Sequence, residues 1–409
     1  MKASFSALSH ASWGKEDSTY VSERACPVCS TDQTRAVEAL PGLQFFTDHP
    51  DVSKQADVCQ VQCRNCLTLF MNPAYSDRGF EVLFSEAGRS YGDGGGRHDE
   101  QIAWLDKNGL KNETFSYMDI GCYEGQFLAQ LPVGRRFIGV DFDGPAIERA
   151  KKNYPGDEYL FLQGRFEEIS LDEQVDVFTM FHVLEHLPDP VGVLRVLRDF
   201  SHEKTALVVE VPVLELGFTN DIHGFFSPQH LTHFSKHTLR QTFMQAGWRI
   251  AESQDAADYN GHRVIAYPDD HVGEITADFE DYSRLHAVRA SLSQALIDAE
   301  KSISQFPAMS QIAIWGAGMH LEYILQRTTF FERFRDAEFL AVDSDQMKQG
   351  RTWRGIEIRS PDCLEEFDWA ETGLLISSYG GQEKIYELAI ARGIPASSIM
   401  KLYDRVTTY

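Results

Sequence analysis

Residues 118–143 read MDIGCYEGQFLAQLPVGRRFIGVDFD, and this stretch decides the fold of the chain. A short apolar strand reaches Asp119, a loop with Gly121 and Gly125 follows, and a second apolar strand ends at Asp141 at the spacing of a β-α-β unit. Gly121 permits a sharp turn off the strand, and Gly125 lets the next helix start close to a ligand. Asp141 falls where a carboxylate binds two ribose hydroxyls. The stretch predicts a nucleotide-cofactor pocket in a parallel α/β sheet.

The loop chemistry favours one class of cofactor. A dinucleotide site needs glycine at the middle position of G-x-G-x-x-G, where this chain has Tyr123, and Glu124 would repel a pyrophosphate. A cofactor with an amino group and a sulfonium tolerates nearby carboxylates. The residues therefore favour S-adenosylmethionine, with a dinucleotide as the alternative.

Two further strands continue the pattern downstream. Residues 161–166 (FLQGRF) read as a third strand with its loop, and residues 175–190 (VDVFTMFHVLEHLPDP) read as a fourth strand that runs into a helix. From Phe115 to Ala251 the chain resembles the class I S-adenosylmethionine-dependent methyltransferases, whose pattern is D-x-G-x-x-x-G, an acid after the second strand and LEHLPDP after the fourth.

The resemblance implies a set of cofactor contacts. It implies a loop around the methionine part, a ribose carboxylate, a group of residues near the adenine and a segment that closes over the cofactor. In that order these are Gly121 and Gly125; Asp141; Phe142, Arg165 and Phe166; and Phe181 with His182. Asp119, Tyr123 and Gly164 are further candidates for cofactor binding.

The segment from His182 to His186 has a second interpretation. It matches the H-x-x-E-H arrangement of inverted zinc peptidases, in which two imidazoles share one helical face. That site needs a metallopeptidase helix and a further acidic ligand, whereas Pro188 and Pro190 interrupt this run at once. A packing role and a functional role are both open for His182, and we favour a functional role for His186.

A pair of cysteine motifs lies upstream. Cys26-Pro-Val-Cys29 and Cys63-Arg-Asn-Cys66 form two C-x2-C motifs that can supply four thiolates to a closed tetrahedral zinc site. We expect a hairpin or excursion between them. Disulfides are the weaker alternative because no secretory signal precedes the pairs, and a redox role is weaker because neither motif begins a thioredoxin-like helix. Four thiolates leave no open position, so we expect structural rather than catalytic zinc.

Composition limits the partners. The chain has 38 Lys+Arg and 61 Asp+Glu, and its net charge of −23 repels nucleic acid and anionic lipid. We find no stretch of 18 consecutive apolar residues and no continuous apolar region at the start. We expect a cytoplasmic enzyme with a small-molecule substrate and no nucleic-acid or membrane partner.

Changes in periodicity predict the domain organisation. We expect an α/β protein with an N-terminal zinc-binding module, a central Rossmann-like methyltransferase domain and a smaller C-terminal Rossmann-like domain. The predicted ranges are a flexible tail at 1–20, the zinc module at 21–76, a helical connector at 77–110, the cofactor domain at 111–255, a connector with a long helix at 256–307 and the last domain at 308–409. The long helix is predicted over 272–306, with Phe279 among its apolar, mostly core, positions.

The C-terminal domain carries its own nucleotide-like signals. Residues 311–318 (QIAIWGAG) read as a strand, a turn and a helix start, and a later strand ends at Asp343. Two of the three glycines of a dinucleotide motif are present, so another nucleotide moiety is the better expectation. Lys348, Arg351 and Arg354 could face a diphosphate; a solvated turn is the alternative.

The order of the three parts resembles the deoxysugar C-methyltransferases, which act on nucleotide-activated keto sugars. The resemblance implies that the last domain helps bind the nucleotide-sugar and that a segment after the fifth strand, here residues 226–235 (FSPQHLTHFS), carries the catalytic base. It implies His230 as the base, with His186 near the sugar and Tyr91 as an active-site tyrosine.

The base segment departs from the family pattern. The family usually has a tyrosine and a glutamate where this chain has Ser227 and Gln229. A neutral Gln229 can orient a base by hydrogen bonding but stabilises an imidazolium less than a carboxylate does. Two alternatives therefore stay open: methylation of oxygen or nitrogen of a sugar or related metabolite, and a non-catalytic module that binds the cofactor or a partner.

Overall fold

The computed structural model describes residues 20–44, 55–84 and 97–406. The elements of the N-terminal part and connector are β1 (Val21–Ser22), β2 (Thr34–Gln44), β3 (Gln55–Cys63), β4 (Leu69–Met71), β5 (Ala74–Tyr75), α1 (Asp77–Phe84) and α2 (Arg97–Lys107).

The N-terminal sheet brings the two cysteine motifs together. Strands β2 and β3 form a long antiparallel hairpin between the motifs, with Thr34 opposite Cys63, and β4 pairs with the other edge of β3. The register shifts between Leu40 and Leu43, where Gly42 adopts a φ of 56° that favours glycine. The predicted hairpin between the motifs is confirmed.

The central part has the following elements in chain order. They are β6 (Ser116–Ile120), α3 (Gln126–Gln130), β7 (Arg136–Asp141), α4 (Gly144–Asn153), β8 (Tyr159–Gln163), β9 (Val175–Phe181), α5 (Pro190–Asp199), β10 (Ser201–Val211), β11 (Thr232–His233), α6 (Lys236–Gln245), β12 (Trp248–Asp255) and β13 (His262–Pro268).

The central sheet has the order β12-β13-β10-β9-β6-β7-β8. Strands β6 to β10 are parallel, and β13 runs antiparallel between β10 and β12. Its strands are nearly continuous apolar runs because helices cover both faces of a parallel sheet. The strand order reverses between β6 and β9, so the crevice of this doubly wound sheet opens at their carboxyl ends. The predicted Rossmann-like fold is confirmed.

The last part begins with a long helix. Its elements are α7 (Glu280–Gln305), β14 (Gln311–Trp315), α8 (Met319–Arg327), α9 (Phe330–Arg333), β15 (Glu338–Val342), β16 (Thr352–Trp353), β17 (Ile356–Arg359), β18 (Thr372–Ile376), α10 (Gln382–Ala391) and β19 (Ile399–Met400).

The C-terminal sheet has the order β16-β17-β15-β14-β18-β19, and all its pairs are parallel except β16 with β17. The predicted long helix starts at Glu280 rather than at 272. Phe279 is not one of the core positions of this segment, since the residue is 74% exposed and its ring stacks on that of Tyr282.

One continuous apolar core joins the three parts. It includes Leu43 and Met71 of the N-terminal sheet, Leu231 before β11, and Ile312 of β14. The central domain also contributes β11 to the N-terminal sheet, where it pairs antiparallel with β4. The segment that contains His230 is therefore packed between the N-terminal module and the cofactor domain.

Among the helices that the structure describes, none combines the length and apolarity needed to cross a lipid bilayer.

Candidate active site

The loop after β6 requires both of its glycines. Gly121 and Gly125 have φ values of 74° and 78°, which favour glycine. A Cβ at Gly121 would lie 2.4 Å from Val183, and one at Gly125 would lie 2.6 Å from Phe161. The loop therefore turns sharply with its backbone exposed to the crevice at the ends of β6 and β7.

Asp141 organises that loop from the end of β7. Its Oδ2 accepts a hydrogen bond from Tyr123 N and its Oδ1 accepts one from Asp143 N, both at 2.9 Å. Burial raises the pKa of Asp141 above its usual value, and the two N–H donors offset part of that rise. The carboxylate lies at the carboxyl end of β7, beside the loop after β6.

Asp119 is buried beneath the loop. Its Oδ1 accepts a hydrogen bond from the Thr179 hydroxyl at 2.7 Å, and burial raises the pKa of Asp119 to about 7. Glu124, which would repel a phosphate, is paired with Arg149 at 2.6 Å. Asp119 thus holds the end of β6 against β9. The ion pair with Arg149 partly neutralises the charge of Glu124.

The residues predicted near the adenine separate into two groups. Phe142 follows Asp141 with 49% of its side chain exposed, so its ring can receive a planar base. Phe166 instead packs in the core of the domain, with its ring 6.2 Å from that of Phe200. Arg165 pairs with Asp77 at 3.0 Å on the surface, beside Gly164.

His182 takes part in a buried polar network that the sequence did not reveal. Its Nε2 lies 3.1 Å from Glu210 Oε1, its Nδ1 lies 3.4 Å from Glu185 Oε1, and Phe181 before it packs against Phe127. Burial alone lowers the pKa of His182, but the bonds to Glu185 and Glu210 outweigh it and raise that pKa to about 9. His182 is therefore an imidazolium at neutral pH.

Glu210 is the last residue but one of β10 and has several hydrogen-bond partners. It accepts hydrogen bonds from Gln101, from the Tyr259 hydroxyl and from Arg263. Burial raises the pKa of Glu210, but the bond to His182 and the nearby positive charges lower it to about 2. The one sequence signal for this network is an acid within the otherwise apolar run 206–211.

His186 and His230 lie next to each other beyond the end of β9. Their ring centroids are 4.9 Å apart and their planes meet at 76°. His186 Nδ1 lies 2.8 Å from the Gln229 carbonyl oxygen, to which it donates, and its Nε2 lies 3.9 Å from Glu185 Oε1. The structure thus brings together two of the predicted catalytic residues.

His230 is a neutral imidazole. Burial, followed by the charges of His186 and His233, holds the pKa of His230 well below its usual value. His233, on β11, is also kept neutral and lies 3.0 Å from Gln60 through its Nε2. A neutral base beside the crevice can accept a proton from a bound molecule.

The departures from the family pattern have a structural counterpart. The Ser227 hydroxyl accepts a hydrogen bond from Gln229 N at 3.2 Å, and His230 N donates to Ser227 O at 3.1 Å, so Ser227 closes the turn before the base. Gln229 orients His186 through its backbone carbonyl, a role that does not depend on side-chain type. The predicted tyrosine, Tyr91, lies outside the described residues.

Within the part of the chain that the structure describes, two clusters have the chemistry of a metal site. The thiolates of Cys26, Cys29, Cys63 and Cys66 lie within 4.8 Å of one another. The pairs Cys26–Cys66 and Cys29–Cys63 are 3.6 and 3.5 Å apart, close to the separation of about 3.8 Å that a tetrahedral site with Zn–S bonds of about 2.3 Å requires. The four cysteines therefore fit zinc.

The second cluster is formed by Glu185, His186 and His230, whose ligand atoms also lie within 4.8 Å of one another. Here Glu185 already lies 3.4 Å from the charged His182. A catalytic pair is the simpler interpretation of this cluster.

The turn after β14 in the C-terminal domain has the same hydrogen-bond arrangement as the loop after β6. Asp343 follows β15, its Oδ2 accepts from Ala317 N at 2.8 Å and its Oδ1 accepts from Asp345 N at 2.9 Å. Lys348 Nζ lies 3.3 Å from Asp343. The diphosphate hypothesis was wrong for Arg354, whose guanidinium is fully buried against Glu322.

Comparison with known proteins agrees with this geometry. Residues 96–253 match a family model described as a methyltransferase domain. No curated protein is similar enough to match the chain.

Several solved methyltransferase structures are similar over this region. A magnesium protoporphyrin IX methyltransferase from Synechocystis PCC 6803 with bound SAH has 19% identity and a TM-score of 0.37, covering 47% of this chain and 97% of that chain. An S-adenosylmethionine-dependent methyltransferase from Clostridium acetobutylicum has 11% identity and a TM-score of 0.37, covering 47% and 98%. A Haloferax volcanii complex of a methyltransferase with its Trm112 activator has 16% identity and a TM-score of 0.33, covering 42% and 98%.

The family match and the strand order together define the class. The central part is a class I methyltransferase domain. The protein is accordingly an enzyme of the methyltransferase class.

Proposed function

We propose that this methyltransferase acts on a carbon of a nucleotide-linked keto deoxysugar, with His230 as the general base. The observation that carries the proposal is the pairing of His230 with His186, 4.9 Å apart, at the strand ends where the cofactor loop opens. The order of the three parts, which resembles the deoxysugar C-methyltransferases, supports the class of acceptor.

We assign the cofactor contacts to the loop after β6 and the end of β7. The Asp141 carboxylate would bind the ribose hydroxyls, and the turn from Gly121 to Gly125 would surround the methionine part. The exposed ring of Phe142 would cover one face of the adenine. When bound, S-adenosylmethionine supplies an electrophilic methyl group on a positively charged sulfur.

The histidine pair would manage the proton. Removal of a proton from carbon beside a ketone needs a neutral base, and the depressed pKa of His230 keeps that imidazole neutral. The buried Glu185 carboxylate, 3.9 Å from His186 Nε2, favours positive charge on the pair after proton transfer. Desolvation of the site strengthens this electrostatic effect.

The nucleotide of the acceptor would contact the C-terminal domain. The turn after β14 has Gly316 at a φ of 110°, and a Cβ there would lie 2.4 Å from Ser377 O, so the backbone approaches closely as at Gly121. The acid Asp343 accepts from that turn as Asp141 accepts from the cofactor loop. This likeness supports a nucleoside-binding role.

Isotope exchange tests the carbon chemistry. The protein is incubated in D2O with nucleotide-linked keto sugars and without methyl donor, and deuterium at the carbon beside the ketone is followed by NMR. We expect exchange with the native protein and about 10²–10⁴-fold slower exchange with His230→Gln, which keeps a polar side chain but removes the base. Methyl transfer by a native protein that catalyses no exchange would contradict carbon methylation.

Methylation of oxygen or nitrogen is the second candidate. Ser227 and Gln229 replace the residues that support the base in the resembling family, and burial makes His230 a weak base. Deprotonating a hydroxyl or an amine demands less of such a base than deprotonating carbon does. The same exchange experiment separates the candidates, because this second chemistry gives no deuterium on carbon.

A further inference from the structure

The guanidinium of Arg24 joins three chain segments by donating to one backbone carbonyl group of each. Its Nε donates to Met71 O at 3.2 Å, its Nη1 donates to Pro188 O at 2.6 Å, and its Nη2 donates to Leu231 O. Met71 ends β4 of the N-terminal sheet, whereas Pro188 and Leu231 belong to the methyltransferase domain. One side chain therefore bridges the two parts.

Leu231 is the residue next to His230, and its backbone is fixed on both sides. Its N–H donates to Glu185 O at 2.7 Å, and its carbonyl also accepts from Met71 N at 2.9 Å. The position of the His230 backbone is thus determined by the N-terminal sheet on one side and by the segment that carries His186 on the other.

The second carbonyl, that of Pro188, lies two residues after His186. Arg24 therefore contacts both histidine-bearing segments with two nitrogens of the same planar group. A guanidinium is rigid and presents its donors in a fixed fork, so it sets the separation of the two carbonyls. Through them it sets the separation of His186 and His230.

Arg24 is itself held in place. Its backbone N–H donates to Asn72 Oδ1 at 2.9 Å, and its guanidinium lies 5.3 Å from the centroid of the Phe70 ring. These contacts orient the fork before any substrate binds.

We infer that Arg24 is a positioning residue for the His186–His230 pair, and that the N-terminal module thereby serves the reaction and not only the stability of the fold. The inference rests on the proposed function of the two histidines. It assigns Arg24 no contact with substrate or cofactor.

The test compares Arg24→Gln and Arg24→Lys with Arg64→Gln in the full-length protein. Arg64 is a matched control because it lies in the same module and donates to a backbone carbonyl, Thr34 O at 3.1 Å, on the exposed side. Three quantities are measured: amide hydrogen exchange of the segments 184–190 and 226–233, affinity for S-adenosylmethionine by calorimetry, and kcat and KM with a nucleotide-linked keto sugar.

We expect Arg24→Gln to accelerate exchange in both segments by about 10-fold or more, because a charged group that held both carbonyls is lost. We expect kcat to fall by about 10²-fold, as for a misplacement of roughly 1 Å, with cofactor affinity unchanged. Arg24→Lys should keep the charge and recover only part of kcat, and Arg64→Gln should behave as the native protein.

Several results would overturn the inference: faster exchange confined to the N-terminal module, unchanged exchange in both segments, or loss of cofactor affinity in parallel with kcat. Failure of the proposed function is distinguishable. In that case the native protein transfers no methyl group to the sugar, while the exchange response of the two segments to Arg24→Gln is still measured and decides the inference alone.

Discussion

At the scale of single residues, the site is governed by where charge is buried. His182 is protonated because its bonds to Glu185 and Glu210 outweigh the effect of burial, whereas His230 is neutral because it is buried and the charged groups near it are other imidazoles. One histidine of the site is thus positively charged and another is neutral, and each state suits a different task. His182 fixes the strand ends electrostatically, and His230 is left able to accept a proton.

The raised pKa of His182 predicts an alkaline loss of stability. The folded-state pKa of His182 is about 9, above the usual 6.5. The stability that the protonated imidazole contributes to the fold is therefore complete below pH 6.5 and is lost as the pH rises through 9. We expect the melting temperature of the native protein to decrease over this interval, and the decrease to be smaller in His182→Gln. Equal slopes in differential scanning calorimetry of the two proteins would refute the assignment.

The base assignment predicts a selective defect in His230→Ala. Turnover should fall by about 10²–10⁴-fold, since that is the usual contribution of general-base catalysis, while affinity for S-adenosylmethionine stays near the native value. Turnover, calorimetric affinity and melting temperature are measured on the same preparation. A decrease of tenfold or less would shift the base to His186 or to the substrate.

The proposed contact between Asp141 and the ribose predicts that Asp141→Ala loses affinity for the cofactor. Removal of the carboxylate leaves the ribose hydroxyls and two backbone N–H groups without their acceptor, which costs roughly 1–3 kcal/mol of binding energy for S-adenosylmethionine. Calorimetry measures this loss, with the exposed Asp172→Ala as the control. Unchanged affinity in Asp141→Ala would place the cofactor elsewhere.

At the scale of elements, the short strand β11 explains why an N-terminal module accompanies the methyltransferase domain. Thr232 and His233 pair with Phe70 and Leu69, so the segment after His230 is completed by a strand that begins three residues after Cys66. The conformation of the base segment therefore depends on a sheet that the cysteine cluster closes at one end.

The cysteine cluster predicts bound zinc. We expect one equivalent of zinc per chain, held by Cys26, Cys29, Cys63 and Cys66, in protein purified without added metal. The double variant Cys26→Ser with Cys63→Ser should lose the metal and melt at a lower temperature, because metal binding contributes to folding. The matched control is Cys59→Ser, a cysteine outside the cluster. Less than about half an equivalent of zinc in the native protein would count against the site.

Some of the strands could be predicted from the sequence, and others could not. Strands β6 to β9 and β14 were predictable because each is a nearly continuous apolar run bounded by glycine or an acid. Strand β11 was not, since its two residues acquire their conformation from β4, far away in the chain. For the same reason Arg24 carried no local signal, since its three carbonyl partners lie 47 to 207 residues away. Glu210 stands out as an acid in an apolar run, but that run does not identify its partners, which lie 28 to 109 residues away.

At the scale of the whole molecule, hydrogen bonds as well as the chain itself connect the central domain to the C-terminal domain. The segment 220–223 of the central domain contacts the carboxyl-end side of the C-terminal sheet, where Ile222 N donates to the Tyr403 hydroxyl at 3.2 Å and that hydroxyl donates to Asp221 at 3.1 Å. Residues 226–235, which include the proposed base, follow directly. The segment that carries the proposed base is therefore anchored to the C-terminal domain just before it begins.

Because the molecule is strongly negative, a phosphorylated acceptor must be bound by local contacts. A net charge of −23 opposes a phosphorylated ligand at long range. Lys348 beside Asp343 is a local cation at the turn that we assign to the nucleotide. We therefore expect affinity for the acceptor to come from this neighbourhood and to weaken in Lys348→Met, as measured by KM at constant kcat, with Lys384→Met on the exposed face of α10 as the control.

The product of a single reaction tests whether the protein methylates carbon with His230 as the base. The protein is incubated with S-adenosylmethionine labelled with ¹³C in its methyl group and with a nucleotide-linked keto deoxysugar, and the product is examined by ¹³C NMR with coupling to neighbouring atoms. We expect a labelled methyl group bonded to a ring carbon beside the ketone, and we expect this product to disappear with His230→Gln. A labelled methyl group on oxygen or nitrogen, or no labelled sugar from a protein that binds the cofactor normally, would contradict it.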